Sequence, residues 1–293
     1  MGARGLLSIS AAGVLWGTTG VVVQYVNRTT GMGALSIGFW RLVVAAIVLL
    51  LLSIARLGHL GGSLQRQPLA LVAAGIGLGF YQAAYFLSVV WVGVAVATLV
   101  SLGVAPVVIT VWEAWRSRRR PPVLRVVAVG LALAGLSLVQ DGGHGGGGSH
   151  PGWGLVAALV SGTAYAATAV LSSRLARTVP ATVLTTVMCA VGAVGLLPFA
   201  LGAPAPTSAP GGWTVGGIVY IGVACTALAY LLFNAGLRTV PSGAASILTL
   251  WEPLTATVLA LLLLGETLTP LAVLGSVLLL GSVALSYVRA NPV

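Results

Sequence analysis

Two apolar stretches of this chain run parallel to each other, VAVATLVSLGVAP at residues 94–106 and PSGAASILTLWEP at residues 241–253. Both are rich in small residues, and each ends in a proline, Pro106 or Pro253, deep within a hydrophobic segment. Corresponding proline-interrupted segments in two halves of a membrane protein are typical of secondary transporters and point to the binding site. Because segments rich in leucine, alanine and valine often look alike, the rest of the chain has to support the repeat.

The composition of the 293-residue chain indicates a membrane protein. Hydrophobic residues make up 58% and charged residues 6%, and the mean hydropathy is +1.06, whereas soluble domains average about 25% charged residues. The net charge of +10 could suggest a nucleic-acid partner. The arginines flank apolar segments, however, as cytoplasmic anchors of membrane helices do. The sequence therefore predicts the lipid bilayer as a partner and excludes nucleic acid.

Ten apolar segments follow one another along the chain, and most reach the roughly 20 residues that cross a hydrocarbon core. Two long apolar runs are each divided by a tight turn, at Gly93 and at Pro241. The sequence predicts an all-α integral membrane protein with ten transmembrane helices. The predicted spans are residues 5–27, 33–55, 69–91, 94–115, 122–140, 152–173, 181–201, 212–237, 241–264 and 269–289.

The arginines also predict an orientation, because positive charge concentrates in cytoplasmic loops. If the N-terminus is cytoplasmic, all of the 14 basic residues except Arg28 and Arg41 fall on the cytoplasmic side. We therefore expect a multi-pass protein of the cytoplasmic (inner) membrane of a bacterium, with both termini in the cytoplasm. The first segment lacks a small-residue cleavage site before a polar region, so we interpret it as a span and not a signal peptide.

The two halves are expected to have opposite topologies, because five helices per half is an odd number and the second copy must enter the membrane inverted. We expect a first five-helix repeat over residues 1–140, a glycine-rich external linker over residues 141–151, and a second five-helix repeat over residues 152–293. A central cavity between the two repeats would then hold the substrate near the midplane.

Short motifs in a fixed order carry a family resemblance. They are Leu15-Trp16-Gly17, Phe39-Trp40-Arg41, Tyr85-Phe86-Leu87, Thr226-Ala227-Leu228-Ala229-Tyr230, Ala235-Gly236-Leu237, Trp251-Glu252-Pro253-Leu254 and Leu263-Leu264-Gly265-Glu266. Over essentially its whole length the chain resembles the EamA-type family of the drug/metabolite transporter superfamily. The resemblance implies ten helices as two inverted five-helix repeats around a central cavity. It also implies export of metabolites such as amino acids, or of drug-like molecules.

Glu252 is the outstanding candidate for function. It lies about halfway along the ninth segment, where a charge is expensive and usually faces a cavity or a partner. The carboxyl group could accept a proton, bind a substrate amine, or satisfy backbone groups at a break in the helix. Pro253 directly follows it, and both Pro106 and Pro253 are expected to mark flexible or broken helix, because proline removes a backbone donor.

Two further charged positions have alternative interpretations. Arg41 lies several residues into the second segment, where it could bind a substrate carboxylate, pair with Glu252, or extend to the lipid headgroups beside an interfacial Trp40. Glu113 and Arg116 are one helical turn apart, and the spacing predicts a surface ion pair between them.

Polar and aromatic side chains at helical spacing are predicted to line the cavity. Tyr81 and Tyr85 are one turn apart with Gln82 beside them, and Tyr230 and Asn234 repeat that spacing. A mostly apolar pocket with a few polar groups suits small amphipathic ligands, and aromatic faces can also hold cations. Each aromatic residue alone could equally be part of the packing. The other predicted members are Trp16, Thr19, Tyr165, Thr168 and Trp251.

The residues favour transport over catalysis. No metalloprotease, serine-hydrolase or phosphate-binding pattern occurs, so no enzyme, cofactor or nucleotide-driven pump is predicted. Asp141, His144 and His150 lie in a glycine-rich stretch that cannot fix ligand geometry, so no metal site is predicted either.

The first hypothesis is a secondary transporter that exports small metabolites, amino acids or related amphipathic compounds, by alternating access, with proton coupling through Glu252 as a further hypothesis. The alternatives are a broad drug-efflux transporter and a scaffold or sensor subunit that does not transport. The oligomeric state is left open.

Overall fold

The computed structural model describes residues 2–53, 66–140, 150–204, 206–209, 211–264 and 269–288. Within these residues all regular structure is helical, and no strand is present. Eight helices are long and apolar enough to cross a membrane, and α5 is a shorter apolar helix. The helices are α1 Ala3–Thr30, α2 Ala34–Ser53, α3 Pro68–Val92, α4 Val94–Ser117, α5 Val123–Gln140, α6 Pro151–Leu175, α7 Ala181–Leu201, α8 Gly212–Gly236, α9 Ser242–Leu248, α10 Trp251–Leu264 and α11 Pro270–Val288.

The ninth predicted segment, residues 241–264, does not form one helix. It is divided into α9 and α10, with Thr249 and Leu250 in a turn between them. Most of the predicted linker and Glu266 lie outside the described residues.

The two prolines of the parallel stretches have different local structures. Helix α4 continues through Pro106 without a break. The prediction of a broken helix at Pro106 is therefore wrong. Pro253 is the third residue of α10, and the chain leaves the helix before it. Pro253 has no N–H and its ring conflicts with the carbonyl of Thr249, four residues earlier. The Thr249 carbonyl instead accepts a hydrogen bond from the Glu252 amide at 2.9 Å.

Local signals account for several helix ends. Pro68 and Pro151 occupy the first turns of α3 and α6, where a missing N–H has no cost. The Thr269 hydroxyl accepts a bond from the Ala272 amide at 3.1 Å and caps α11. Gly93 has a φ of +87° and is the single residue between α3 and α4. Only glycine adopts that conformation readily, so the two helices can reverse direction there.

The helices pack mainly between the two halves of the chain. Helix α1 lies against α8 and α10, α6 lies against α3 and α4, and α2 lies against α7. Helices α5 and α11 approach most closely at two glycines. A β-carbon at Gly135 would lie 2.8 Å from the Gly275 carbonyl oxygen, and one at Gly275 would lie 2.7 Å from the Gly135 oxygen. Such small faces let membrane helices pack backbone to backbone.

The predicted ion pair between Glu113 and Arg116 is wrong. Glu113 pairs with Arg125 at the start of α5, and Arg116 is exposed. The turn between α4 and α5 brings the Arg125 guanidinium back over α4, and this partner across the turn replaces the one on the same helix.

Helix α8 contains a π-helical turn over Val223–Leu228. A widened turn leaves backbone carbonyls without their usual partners, which is costly in a membrane. The Thr226 hydroxyl donates to the Ile221 carbonyl at 2.7 Å, so a side chain supplies the missing bond. The extra residue of a π turn also changes the direction in which all later side chains of α8 point.

Replacing Thr226 with valine should lower the free energy of unfolding by about 1–3 kcal/mol, because the buried Ile221 carbonyl would lose its side-chain donor. Thermal unfolding in detergent would measure the loss. Thr257→Val is the matched control, because the Thr257 hydroxyl donates to the Pro253 carbonyl of its own helix, at 2.8 Å and away from the π turn. Equal destabilisation by the two substitutions would contradict this role for Thr226.

Candidate functional site

The break between α9 and α10 places Glu252 in the first turn of α10. The side chain is half-buried, and a carboxylate in a first helical turn interacts favourably with the helix dipole. Helix α1 lies directly against this turn. A β-carbon at Gly17 would lie 2.6 Å from the Glu252 carbonyl oxygen, and one at Gly13 would lie 3.0 Å from the Trp251 β-carbon. Small residues in α1 are therefore required where the chain passes Glu252.

No side chain in the described part of the chain forms a hydrogen bond or an ion pair with the Glu252 carboxyl group. Arg41 is close enough to interact with it electrostatically, but the two groups are not within ion-pair distance. A half-buried acidic group in a membrane-spanning region, next to an arginine that does not neutralise it by contact, can receive a cationic group or a proton.

Arg41 points into the helix bundle. Its Nη2 donates to Oε1 of Gln82 at 2.6 Å, and its Nε is buried without a hydrogen-bond partner. Gln82 is 3% exposed, and its Nε2 also lacks a partner. The alternative in which Arg41 extends to the headgroups is therefore wrong in this structure, because the buried Gln82 amide of α3 holds the guanidinium inside.

Replacing Gln82 with leucine should lower the free energy of unfolding by about 1–3 kcal/mol, because the half-buried Arg41 guanidinium would lose the acceptor that holds it. Gln67→Leu is the matched control, because its Nε2 bonds the Thr178 hydroxyl at 3.1 Å in an exposed setting. Thermal unfolding of both variants in detergent would measure the difference. If the two losses were the same, Gln82 would not be supporting a buried charge.

Aromatic side chains from four helices join beside these charged groups. The Trp16 ring lies 5.0 Å from the Tyr230 ring and 5.4 Å from the Phe233 ring, measured between centroids. Tyr81 packs edge-to-face on Tyr165 at 5.3 Å, and its hydroxyl is hydrogen-bonded to that of Tyr230. Helices α1, α3, α6 and α8 thus contribute to one aromatic wall, in which offset and edge-on ring pairs are favourable.

We define the central polar cluster as the predicted site residues that the structure brings near Glu252 and Arg41. Tyr85 belongs to it, and its hydroxyl bonds that of Thr98 at 2.8 Å. The sequence analysis missed Thr98, although it lies within the first of the two parallel stretches. The members are Trp16, Arg41, Tyr81, Gln82, Tyr85, Tyr165, Tyr230, Trp251 and Glu252.

Two predicted members face other neighbours. The Asn234 amide donates to the Thr185 hydroxyl at 3.0 Å and points toward α7, and the Thr168 hydroxyl donates to the Ala164 carbonyl of its own helix at 2.8 Å. Both are buried. Tyr230 and Asn234 both lie in the regular part of α8 after the π turn, so the one-turn spacing between them holds, but the Asn234 amide bonds α7 and not the residues around Glu252.

Unpartnered polar atoms concentrate at the predicted site residues. Nine buried side-chain nitrogen or oxygen atoms lack a hydrogen-bond partner in the described residues, and six of them belong to residues that the sequence selected. Buried polar groups are nearly always hydrogen-bonded, so the open N–H groups of the bonded pair Arg41 and Gln82, and of Trp251 next to Glu252 in the chain, indicate a place where a ligand can bind. The six atoms are Thr19 Oγ1, Arg41 Nε, Gln82 Nε2, Tyr165 Oη, Asn234 Oδ1 and Trp251 Nε1.

Metal ligands do not gather anywhere in the part of the chain that the structure describes: no three histidine, cysteine, aspartate or glutamate side chains come together there. Asp141 and His144 lie outside the described residues.

Comparisons with known proteins agree on one family. The model of the EamA-like transporter family matches residues 3–140 and again residues 152–288. An uncharacterized transporter of Bacillus subtilis (strain 168), YwfM, is 31% identical and aligns over 96% of this chain and 93% of its own length. An uncharacterized inner membrane transporter of Salmonella typhimurium, YicL, is 28% identical, with 96% and 94% covered.

A solved crystal structure shares the fold, with a TM-score of 0.82 at 22% identity over 99% of this chain and 98% of that chain. The family model covers both halves, and the relatives align along nearly their full lengths. The chain therefore belongs to the EamA-like transporter family, a family of multi-pass membrane transporters.

Proposed function

We propose that this protein is a secondary transporter that exports small amphipathic metabolites, amino acids or related compounds, by alternating access. Its ten membrane segments form two inverted five-helix repeats, and both termini lie in the cytoplasm. It works in the cytoplasmic membrane. Family membership supports a transport role, while the substrate class and the direction of transport rest on the central polar cluster and on the distribution of arginines.

Equivalent contacts in the two halves support the inverted repeat. A β-carbon at Gly13 in α1 would lie 3.0 Å from that of Trp251, and a β-carbon at Gly162 in α6 would lie 3.1 Å from that of Val104. Trp251 and Val104 each stand two residues before the proline of their parallel stretch. The first helix of each half thus packs against the fourth segment of the other half at the same register, as two-fold related repeats require.

The single observation that carries the substrate proposal is the set of unpartnered N–H groups of Arg41, Gln82 and Trp251 beside Glu252. Arg41 and Gln82 offer N–H donors that suit a carboxylate. Glu252 and the nearby aromatic faces suit an ammonium group. The aromatic wall formed by Trp16, Tyr81 and other rings suits an apolar side chain or body. A small zwitterion with an apolar part would satisfy all three features.

Metabolite release from cells tests the proposal. Cells that express the protein would be compared with cells that carry the empty vector and with cells that express Glu252→Gln at the same level. Release of a discrete set of amphipathic compounds by the wild-type protein alone is the expected result. A broad range of unrelated compounds would favour drug efflux instead. No difference from the empty vector, with the protein present in the membrane, would contradict export.

A further inference from the structure

Glu113, near the end of α4, is held by three bonds. It forms an ion pair with Arg125, and its Oε1 accepts hydrogen bonds from the Ser242 hydroxyl at 2.9 Å and the Gly243 amide at 3.2 Å. We call these four residues the Glu113 cluster. The Glu113 and Arg125 side chains are 29% and 14% exposed, so the pair is partly shielded from solvent. It is the only ion pair between side chains in the described ranges.

The Glu113 cluster joins the two halves of the chain. Glu113 and Arg125 belong to the first half, at the end of α4 and the start of α5, and Ser242 and Gly243 begin α9 in the second half. Charge-assisted hydrogen bonds of this kind are about twice as strong as neutral ones. They therefore hold the first turn of α9 against the side of the bundle that carries Arg116, Arg118, Arg119, Arg120 and Arg125.

Helix α9 is a short helix that is separate from both α8 and α10. It has seven residues and ends at the Thr249–Leu250 turn, directly before Trp251 and Glu252. Its first turn is bonded to Glu113, so one end of α9 meets the Glu113 cluster and the other end meets the central polar cluster. A change in the position of α9 is therefore transmitted to the turn that holds Glu252.

A hollow of about 280 Å³ lies beside the Glu113 cluster, between α5, α9 and α11. Arg125 and Ala128 line it on one side, Ala244 and Ile247 line it from α9, and Leu285 lines it from α11. The hollow borders one side of α9 only, and all seven residues of α9 are buried in the bundle. The bonds of Glu113 therefore add a polar attachment at the first turn of α9 to the apolar packing of the rest of the helix.

We propose that the Glu113 cluster keeps α9 closed over the arginine-rich side of the bundle, and that breaking its bonds lets α9 swing about Thr249 and Leu250 and opens that side to water. This closing of α9 rests on the proposed alternating access. It assigns to α9 the control of the opening on the arginine-rich side of the membrane. No equivalent ion pair occurs at the opposite end of the described bundle.

Cysteine labelling measures the opening directly and does not require a known substrate. The reporter is Ala244→Cys, on the α9 wall of the hollow and 7% exposed. Cys189 and Cys225 are buried free thiols, and protein without the reporter gives their background. In membrane vesicles, a water-soluble maleimide should label the reporter about fivefold faster or more in Glu113→Ala than in wild type, as a typical coupling energy predicts.

Glu113→Gln should fall between wild type and Glu113→Ala, because glutamine keeps an acceptor for Ser242 and Gly243 but loses the charge that pairs with Arg125. Ser117→Ala is the matched control, because the Ser117 hydroxyl bonds only the Ala114 carbonyl in the same helix. A second reporter, Ala74→Cys, is fully buried in α3 and detects general loosening.

Faster labelling at Ala244→Cys, without faster labelling at Ala74→Cys, supports the closing of α9 by the Glu113 cluster. Unchanged labelling, or an equal increase at both reporters, overturns it. A metabolite-release assay that fails for every variant would count against the transport proposal without changing the labelling result.

Discussion

Replacing Glu252 with glutamine is expected to reduce substrate transport driven by a pH gradient by about tenfold or more. Hydrogen bonds to a charged group contribute about 1.5–3 kcal/mol, and the Glu252 carboxyl has no side-chain partner of its own in the described residues. Glutamine has nearly the same shape but can neither carry a negative charge nor exchange a proton. Purified protein in liposomes, with an imposed pH gradient and a substrate identified by metabolite release, gives the measurement.

Two further measurements separate the roles of this carboxyl group. Glu252→Asp keeps the charge one methylene further back and should retain a measurable response to the gradient. Exchange of substrate without a gradient tests binding alone. If Glu252→Gln retained full transport driven by the gradient, proton coupling through this residue would be wrong. If it lost gradient-driven transport but kept exchange, Glu252 would act in coupling and not in substrate binding.

The lengths of the apolar segments predict the helices well because this signal is local. A run of about 20 apolar residues has few alternatives in a membrane, and the helices of the structure begin and end within a few residues of most predicted spans. The divided ninth segment is different. Pro253 acts on the carbonyl of Thr249, and whether a proline bends or breaks a helix depends on the helices around it. Pro106 stands in the parallel stretch and leaves α4 unbroken.

The sequence predicts which residues could line a candidate site, but it does not predict their contacts. Helical spacing places Tyr81 and Tyr85 one turn apart on α3, with Gln82 next to Tyr81. It cannot show that Arg41 of another helix bonds Gln82. Likewise, spacing places Asn234 one turn after Tyr230 in α8, yet it cannot show that the Asn234 amide bonds Thr185 of α7. The Arg125 partner of Glu113 lies across a turn, where no sequence periodicity applies.

Replacing Gly17 with alanine is expected to lower the free energy of unfolding by about 1–3 kcal/mol, as overpacking does, although alanine is the better helix former. The new β-carbon would lie 2.5 Å from the Thr255 β-carbon and 2.6 Å from the Glu252 carbonyl oxygen. The Glu252 carbonyl belongs to the backbone and cannot rotate away from the new β-carbon as a side chain could. Helices α1 and α10 must therefore separate, and the first turn of α10 moves with Glu252.

Gly20→Ala is the matched control, one turn further along α1. Nothing lies within 4 Å of the position that its β-carbon would occupy, so the gain in helix propensity, up to about 1 kcal/mol, should appear without a clash. Thermal unfolding in detergent should therefore move in opposite directions for the two variants. The same liposome assay should show reduced transport for Gly17→Ala even where the protein remains folded, because the turn that positions Glu252 is displaced. Equal stability and equal transport for both variants would show that α1 does not hold this turn.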